Sequence, residues 1–190
     1  PKDWIDFISP RPEWKDSVNL GDPRLVAVSY SVLYGLKTKF GLDRTLDIYK
    51  GLSTLKAVLT SSGRLGLQNT ILGAQRITFW ITLHDAMEQV DAKAPVQYIS
   101  PQSGDVIIPF GMSLLKNSPH PNAAKLFYEF LLSEEAQTII SNNYIFPVRT
   151  GIAPNPKVPK AFGEITYDEV DANNEREGLI KTWEKVMGAG

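Results

Sequence analysis

The chain has 190 residues, 43% of them hydrophobic, with 20 Lys and Arg against 21 Asp and Glu for a net charge of -1. It therefore sits among globular proteins able to bury one or two cores, and it lacks the basic surplus that would point to nucleic acid. No apolar run approaches the ~18 residues of a membrane-spanning helix, and the absence of Cys excludes disulfides, thiolate metal sites and cysteine nucleophiles.

Residues 10 to 24, rich in proline and turn formers, hold one short apolar stretch, Val18 to Leu20, that reads as a strand ending at Gly21-Asp22-Pro23. In SYSVLYGLKTKFG, Val32, Leu33, Leu36 and Phe40 recur at helical spacing, and Gly41 can close the helix. LDRTLDIYKGL predicts a shorter helix halted by Gly51, and LKAVL, residues 55 to 59, a strand. The turn TSSGR, residues 60 to 64, then opens a helix through Leu65, Leu67, Ile71 and Leu72 that Gly73 ends.

RITFWIT, residues 76 to 82, is β-branched and aromatic, as a strand covered on both faces should be. LHDAMEQV returns to helix, and two extended runs, Val96 to Ile99 and Val106 to Leu115, follow around a Pro-Ser-Gly loop. Pro121 opens the clearest helix, with Ala123, Leu126, Phe127, Phe130 and Leu131 on one stripe. Ser133 can cap another, with Glu134 and Glu135 in its positive first turn and Ala136, Ile139 and Ile140 facing inward. A last amphipathic stretch carries Leu179, Ile180, Trp183 and Met187. Strands alternating with helices predict an α/β protein with a largely parallel sheet.

TSSGR admits two readings. Ser61 or Ser62 can cap the helix while Arg64 stays in solvent. Alternatively, a first-turn arginine opposes the helix dipole unless an anion shares the site, and Gly63 lets a ligand approach the free N–H groups closely. Two hydroxyls, those amides and a guanidinium then form an anion seat. His84 and Asp85 follow the RITFWIT strand, where open α/β sheets keep their sites. His84 reads either as a ligand hydrogen bonder or as a surface histidine, and Asp85 as a helix cap. Ser29 and Tyr30 could turn hydroxyls toward the same cleft, although GDPR, residues 21 to 24, reads more simply as a turn. His120 lacks neighbours at metal-ligand spacing, and Trp4, Trp14 and Trp183 read as packing anchors.

Four segments, PKDWIDFISPRPEWKDSVNLGDPR, TSSGR, RITFWITLHDA and PHPNAAKLFYEFLLSEEAQTIISNNYIFPVR, occur in an order that resembles the extracytoplasmic solute-binding proteins of ABC importers, in the branch that includes ferric-ion binders. The resemblance implies the two-lobed periplasmic-binding-protein-like fold of type 2, with ligand held between lobes. It places residues 1–98 plus 148–190 in the second lobe and 99–147 as crossing strand and returning part of the first, the rest of which lies outside this sequence. PKDWIDF lacks an initiator Met or a basic-then-apolar leader, so either a leader was removed or the stretch starts inside a longer protein.

The implied function is capture of a small anionic solute for delivery to the membrane permease of an ABC importer, in the periplasm or outside the cell, where an N-terminal anchor outside this sequence could tether it. The solute-binding set is Ser61, Ser62, Gly63, Arg64, Thr82, His84, Asp85, Ser29 and Tyr30, with neither cofactor nor metal. Ferric-binding relatives carry an adjacent tyrosine pair where this chain has Leu83 and His84, so iron held by tyrosinates is not expected. Two alternatives remain: a hydrolase or transferase using His84 and Asp85, which lacks a nucleophile motif, and the effector lobe of a transcription regulator.

Overall fold

The computed structural model describes residues 1–188; the final two residues of the expected 148–190 segment lie outside the described residues. Three parallel strands form the main sheet: β1 (Val18–Gly21) lies between β2 (Val58–Thr60) and β3 (Ile77–Thr78). Leu20 stands opposite Leu59, and Val18 opposite Ile77. Parallel pairing requires crossover segments. These are α1 (Ala27–Phe40) and α2 (Leu42–Thr54) between β1 and β2, and α3 (Gly63–Ile71) between β2 and β3.

Beyond the sheet, α4 (Leu83–Asp91) is followed by β4 (Asp105–Val106), α5 (Pro121–Leu131) and α6 (Glu134–Asn142). β5 (Glu164–Ile165) pairs in parallel with β4, and α7 (Glu169–Met187) follows. Local chemistry sets several of these boundaries. Gly41 sits at φ +83°, a value other residues rarely adopt, where α1 stops and α2 begins. The Asp168 carboxylate accepts from the amides of Val170 and Asp171 at 2.8 and 2.9 Å, capping α7.

The core lies where α1, α2 and α7 meet the sheet. Leu33, Leu36, Ile48, Leu52 and Trp183 are fully buried there. Trp4, Phe7 and Tyr49 set their rings on Phe79 at centroid distances of 5.3, 5.1 and 5.7 Å, and Trp183 meets Tyr49 at 6.3 Å. The predicted anchoring role of Trp4, Trp14 and Trp183 fits this cluster, Trp14 lying 5.4 Å from Phe7.

Four local expectations need correcting. Gly51 does not halt α2, which continues to Thr54. Its lack of a side chain serves packing instead, since a Cβ there would fall 1.6 Å from the Phe7 carbonyl oxygen. RITFWIT forms a ladder only at Ile77 and Thr78, although β1 itself runs on to Gly21. The run from Val106 to Leu115 pairs at Val106 alone, where β5 meets it. On α6 Ile139, expected to face inward, is exposed while Ala136, Gln137 and Ser141 are buried; the apolar stripe of α5 also lies in solvent, with Leu126 69% and Phe127 60% exposed.

Candidate solute site at the start of α3

β1 and β2 both run toward the same end of the sheet, and the turn after β2 delivers residues 60 to 64 to it. The turn is fixed from beneath: the buried Thr60 hydroxyl donates to the carbonyls of Leu20 and Ser62 at 3.3 and 3.0 Å. Ser62 is the helix cap, its Oγ accepting from the Leu65 amide at 3.1 Å. That bond satisfies one of the four orphan donors at a helix start. The amides of Ser61, Gly63 and Arg64 make no hydrogen bond among the described residues, and Ser61 is exposed. Gly63 rests on the Trp80 ring, which a Cβ would approach to 3.1 Å.

Arg64 and Asp85 are brought together from 21 residues apart, because β3 lies beside β1 and hands the chain to α4 next to α3. Arg64 Nε donates to Asp85 Oδ1 at 2.7 Å. Thr82 Oγ1 donates to the other carboxylate oxygen, and His84 Nε2 stands 3.8 Å from it. Burial works against ionisation of Asp85, yet the hydrogen bonds from Thr82 and Arg64, with the charges of His84 and Arg64, outweigh it and hold its pKa below the usual aspartate value. Asp85 is thus a standing counter-ion to Arg64, an arrangement the sequence reading missed. Arg64 remains 75% exposed in its side chain, and its two terminal nitrogens make no bond among the described residues.

Seven of the nine expected residues, Ser61, Ser62, Gly63, Arg64, Thr82, His84 and Asp85, thus gather around the two helix starts. The other two do not join them as expected. Tyr30 turns inward: its hydroxyl donates to the Ala172 carbonyl at 2.5 Å, and Arg176 lies over its ring at 4.5 Å. Ser29 is 1% exposed, so its hydroxyl does not reach the surface; its Oγ has no partner among the described residues, and a Cβ on Gly21 would fall 2.4 Å from it and 2.5 Å from the Trp80 ring. The GDPR turn is held by a fork, Arg24 Nε and Nη2 donating to the Asp22 carboxylate at 3.0 and 2.7 Å. Among the described residues no group of three His, Asp or Glu side chains could hold a metal ion, and no helix is long and apolar enough to cross a membrane.

Residues 1–173 match the family described as bacterial extracellular solute-binding protein. An uncharacterized protein of Haemophilus influenzae is 27% identical over 190 residues, which is 96% of this chain and 54% of that protein. Iron-bound HitA from Pseudomonas aeruginosa superposes with a TM-score of 0.75 at 19% identity, over 96% of this chain and 61% of that one. The periplasmic binding protein AfuA from Actinobacillus pleuropneumoniae, solved with exogenous fructose-6-phosphate, gives 0.76 at 23% identity, over 100% and 61%.

The chain therefore spans a little over half the length of the relatives it matches, and its fold is that of the type 2 periplasmic binding proteins. Proteins of this kind bind solutes and are not enzymes, which sets aside the hydrolase and transferase reading of His84 and Asp85. By its match over residues 1–173, the chain belongs to the bacterial extracellular solute-binding proteins.

Proposed function

We propose that the chain is the larger part of the solute-binding component of an ABC importer, and that its solute carries a carboxylate, phosphate or phosphonate group seated at the start of α3. One observation carries this reading: the free amides of Ser61, Gly63 and Arg64 stand beside the two unbonded terminal nitrogens of an exposed Arg64. A helix start with open N–H groups attracts anions, and a guanidinium adds a planar fork of donors. Asp85 holds Arg64 by Nε alone and so orients the remaining donors outward. Thr82 and His84 border the far side. AfuA, whose structure was solved with fructose-6-phosphate, supports a phosphorylated solute as one candidate.

HitA is iron-bound, but the residues here favour a different solute. Fe(III) prefers anionic oxygen donors; Leu83 offers none, and the Tyr30 hydroxyl is spent on Ala172. Residues 1–98 and 148–190 would form one lobe and 99–147 would lead into the other, with the β4–β5 pair close to the crossing. Closure of the lobes on solute would create the form that a membrane permease recognises.

Titration calorimetry of the full-length protein with organic acids, sugar phosphates and phosphonates tests the reading. A charge-assisted hydrogen bond contributes ~1.5–3 kcal/mol, so Arg64→Ala should weaken binding ~10- to 150-fold. A tight ligand that is neutral or cationic, or unchanged binding by Arg64→Ala, would reduce the turn to a helix cap.

A further inference from the structure

Helices α4 and α6 end at one place. α6 closes on Tyr144, whose amide donates to the Ser141 carbonyl at 3.0 Å, while the Ile145 amide donates to the Ile140 carbonyl at 3.3 Å. That closure puts the residue past the helix cap in the left-handed region, where glycine is the usual occupant. Tyr144 takes the position at φ +64°, a conformation that bulky residues ordinarily avoid. Nothing in the helix end itself calls for an aromatic side chain there. Backbone strain of this kind persists where surrounding contacts enforce it, and it gathers at switch regions.

The enforcing contact comes from α4. The Tyr144 hydroxyl donates to Asp91 Oδ2, and Lys157 Nζ donates to Oδ1 and Oδ2 of the same carboxylate at 2.9 and 2.8 Å. Asp91 is the last residue of α4, where the helix dipole opposes a negative charge. The hydrogen bonds from Lys157 and Tyr144 more than offset that opposition and hold the Asp91 carboxyl below its ordinary pKa. The link is thus made against a local preference on each side, a left-handed tyrosine on one and a carboxylate at a helix C-terminus on the other.

The two donors move together. Ser141 Oγ donates to the Ala153 carbonyl at 2.7 Å, and Asn155 Nδ2 donates to the Asn142 carbonyl at 3.1 Å. Asn155 Oδ1 then accepts from the Lys157 amide at 3.0 Å. These bonds strap residues 153–157 to the end of α6, so Tyr144 and Lys157 form one jaw and Asp91 the other. Asp91 also lies on the helix that borders the candidate site, about 9 Å further along it than Asp85 at about 1.5 Å per residue.

We propose that Asp91, gripped by Tyr144 and Lys157, is a catch between α4 and α6 that sets the angle at which the lobes rest when no solute is bound. The inference rests on the division into lobes proposed above, in which Asp91 falls within 1–98 and α6 within 99–147. One gripped carboxylate biases two arrangements without locking either, which suits a joint that must move when solute arrives.

Pulsed electron spin resonance on the solute-free full-length protein tests it. Labels at Lys125→Cys on α5 and Asn174→Cys on α7 report between lobes, and labels at Lys50→Cys on α2 and Asn174→Cys report within one. Loss of a hydrogen bond to a charged group shifts a two-state equilibrium about tenfold. Asp91→Ala should therefore favour other α5–α7 distances over the wild-type one by about that factor, and Tyr144→Phe should move the population the same way by less. The α2–α7 distance should stay unchanged in both variants. A shift in it, or α5–α7 distances untouched by Asp91→Ala, would overturn the proposal. Pro109→Gly, which loosens the run leading out of β4, separates the two readings. If it moves the α5–α7 distance where Asp91→Ala does not, the catch fails and the lobes stand; if neither moves it, the division into lobes fails as well.

Discussion

Helices α2 and α5 carry apolar stripes of the same period but meet different surroundings. On α2, Ile48, Tyr49 and Leu52 are at most 1% exposed, covered by α1, α7 and the first turns of the chain. On α5, Leu126, Phe127 and Phe130 stand in solvent, with Phe127 and Phe130 stacked only on each other at 6.5 Å. Other apolar residues of the same stretch, Phe110, Leu115, Phe146 and Val148, are exposed as well. Soluble monomers rarely leave contiguous apolar surface of this kind uncovered. One half of the molecule buries its apolar stripe, and the other half leaves a comparable stripe exposed.

Three measurements would sharpen or break that contrast. The largest effect is expected at Trp183, which is fully buried against Tyr49. Trp183→Ala should cost ~3–5 kcal/mol in chemical denaturation; a cost like that of a surface residue would mean that α7 does not complete this core.

Acid comes next. Burial alone would raise the pKa of Asp22, but the hydrogen bonds and charge of Arg24 overcome it and set the folded value below the ordinary one. The sign follows from linkage: the pair's contribution is fully present above the unfolded value, about pH 4, and is lost as pH falls through the lower folded value. Stability should therefore fall as pH drops below about 4 in the native chain and more shallowly in Asp22→Asn, as read by denaturation midpoints. Equal slopes would show that the fork is a surface contact of little weight.

The smallest effect on stability belongs to α5. Phe127→Asp should change unfolding free energy by no more than about 0.5 kcal/mol, yet it should reduce self-association of the 190-residue chain in light scattering. If instead the native chain is a stable monomer at high concentration, the exposed stripe is tolerated and the contrast between the halves fails.

The elements whose partners are near in sequence were legible. Helical spacing found α1, α2, α5 and α6, and the cap at Ser133 was read correctly, while of the two cap candidates Ser61 and Ser62 the structure selects Ser62. What escaped depended on distant chain. Gly51 looks like a helix stop until the Phe7 carbonyl is placed against it. The aromatic run after Arg76 looks like a full strand, yet it pairs with β1 only at Ile77 and Thr78. At the candidate site, proximity of residues 60 to 64 to residues 82 to 85 followed from the expected fold. The Arg64–Asp85 pair did not, because a carboxylate in a first helical turn reads equally well as a cap. Tyr30 was misplaced for the same reason: a helix fixes which way a side chain points relative to its neighbours, and only α7 decides which side is inside.

The grip of α7 on the start of the fold has a consequence for biosynthesis. Tyr30 is bonded to Ala172 across 142 residues, and Arg176 Nη2 donates to the Pro23 carbonyl across 153. A chain leaving the ribosome cannot close this core until almost all of it has been made, since such distant contacts form only after their loop is closed. Late closure leaves the polypeptide open through most of its synthesis. Ribosome-stalled chains ending before Glu169 should be cleaved by protease as fast as an unstructured control, and chains exposed through Gly188 should resist; the timing of folding would then be written into the position of one helix.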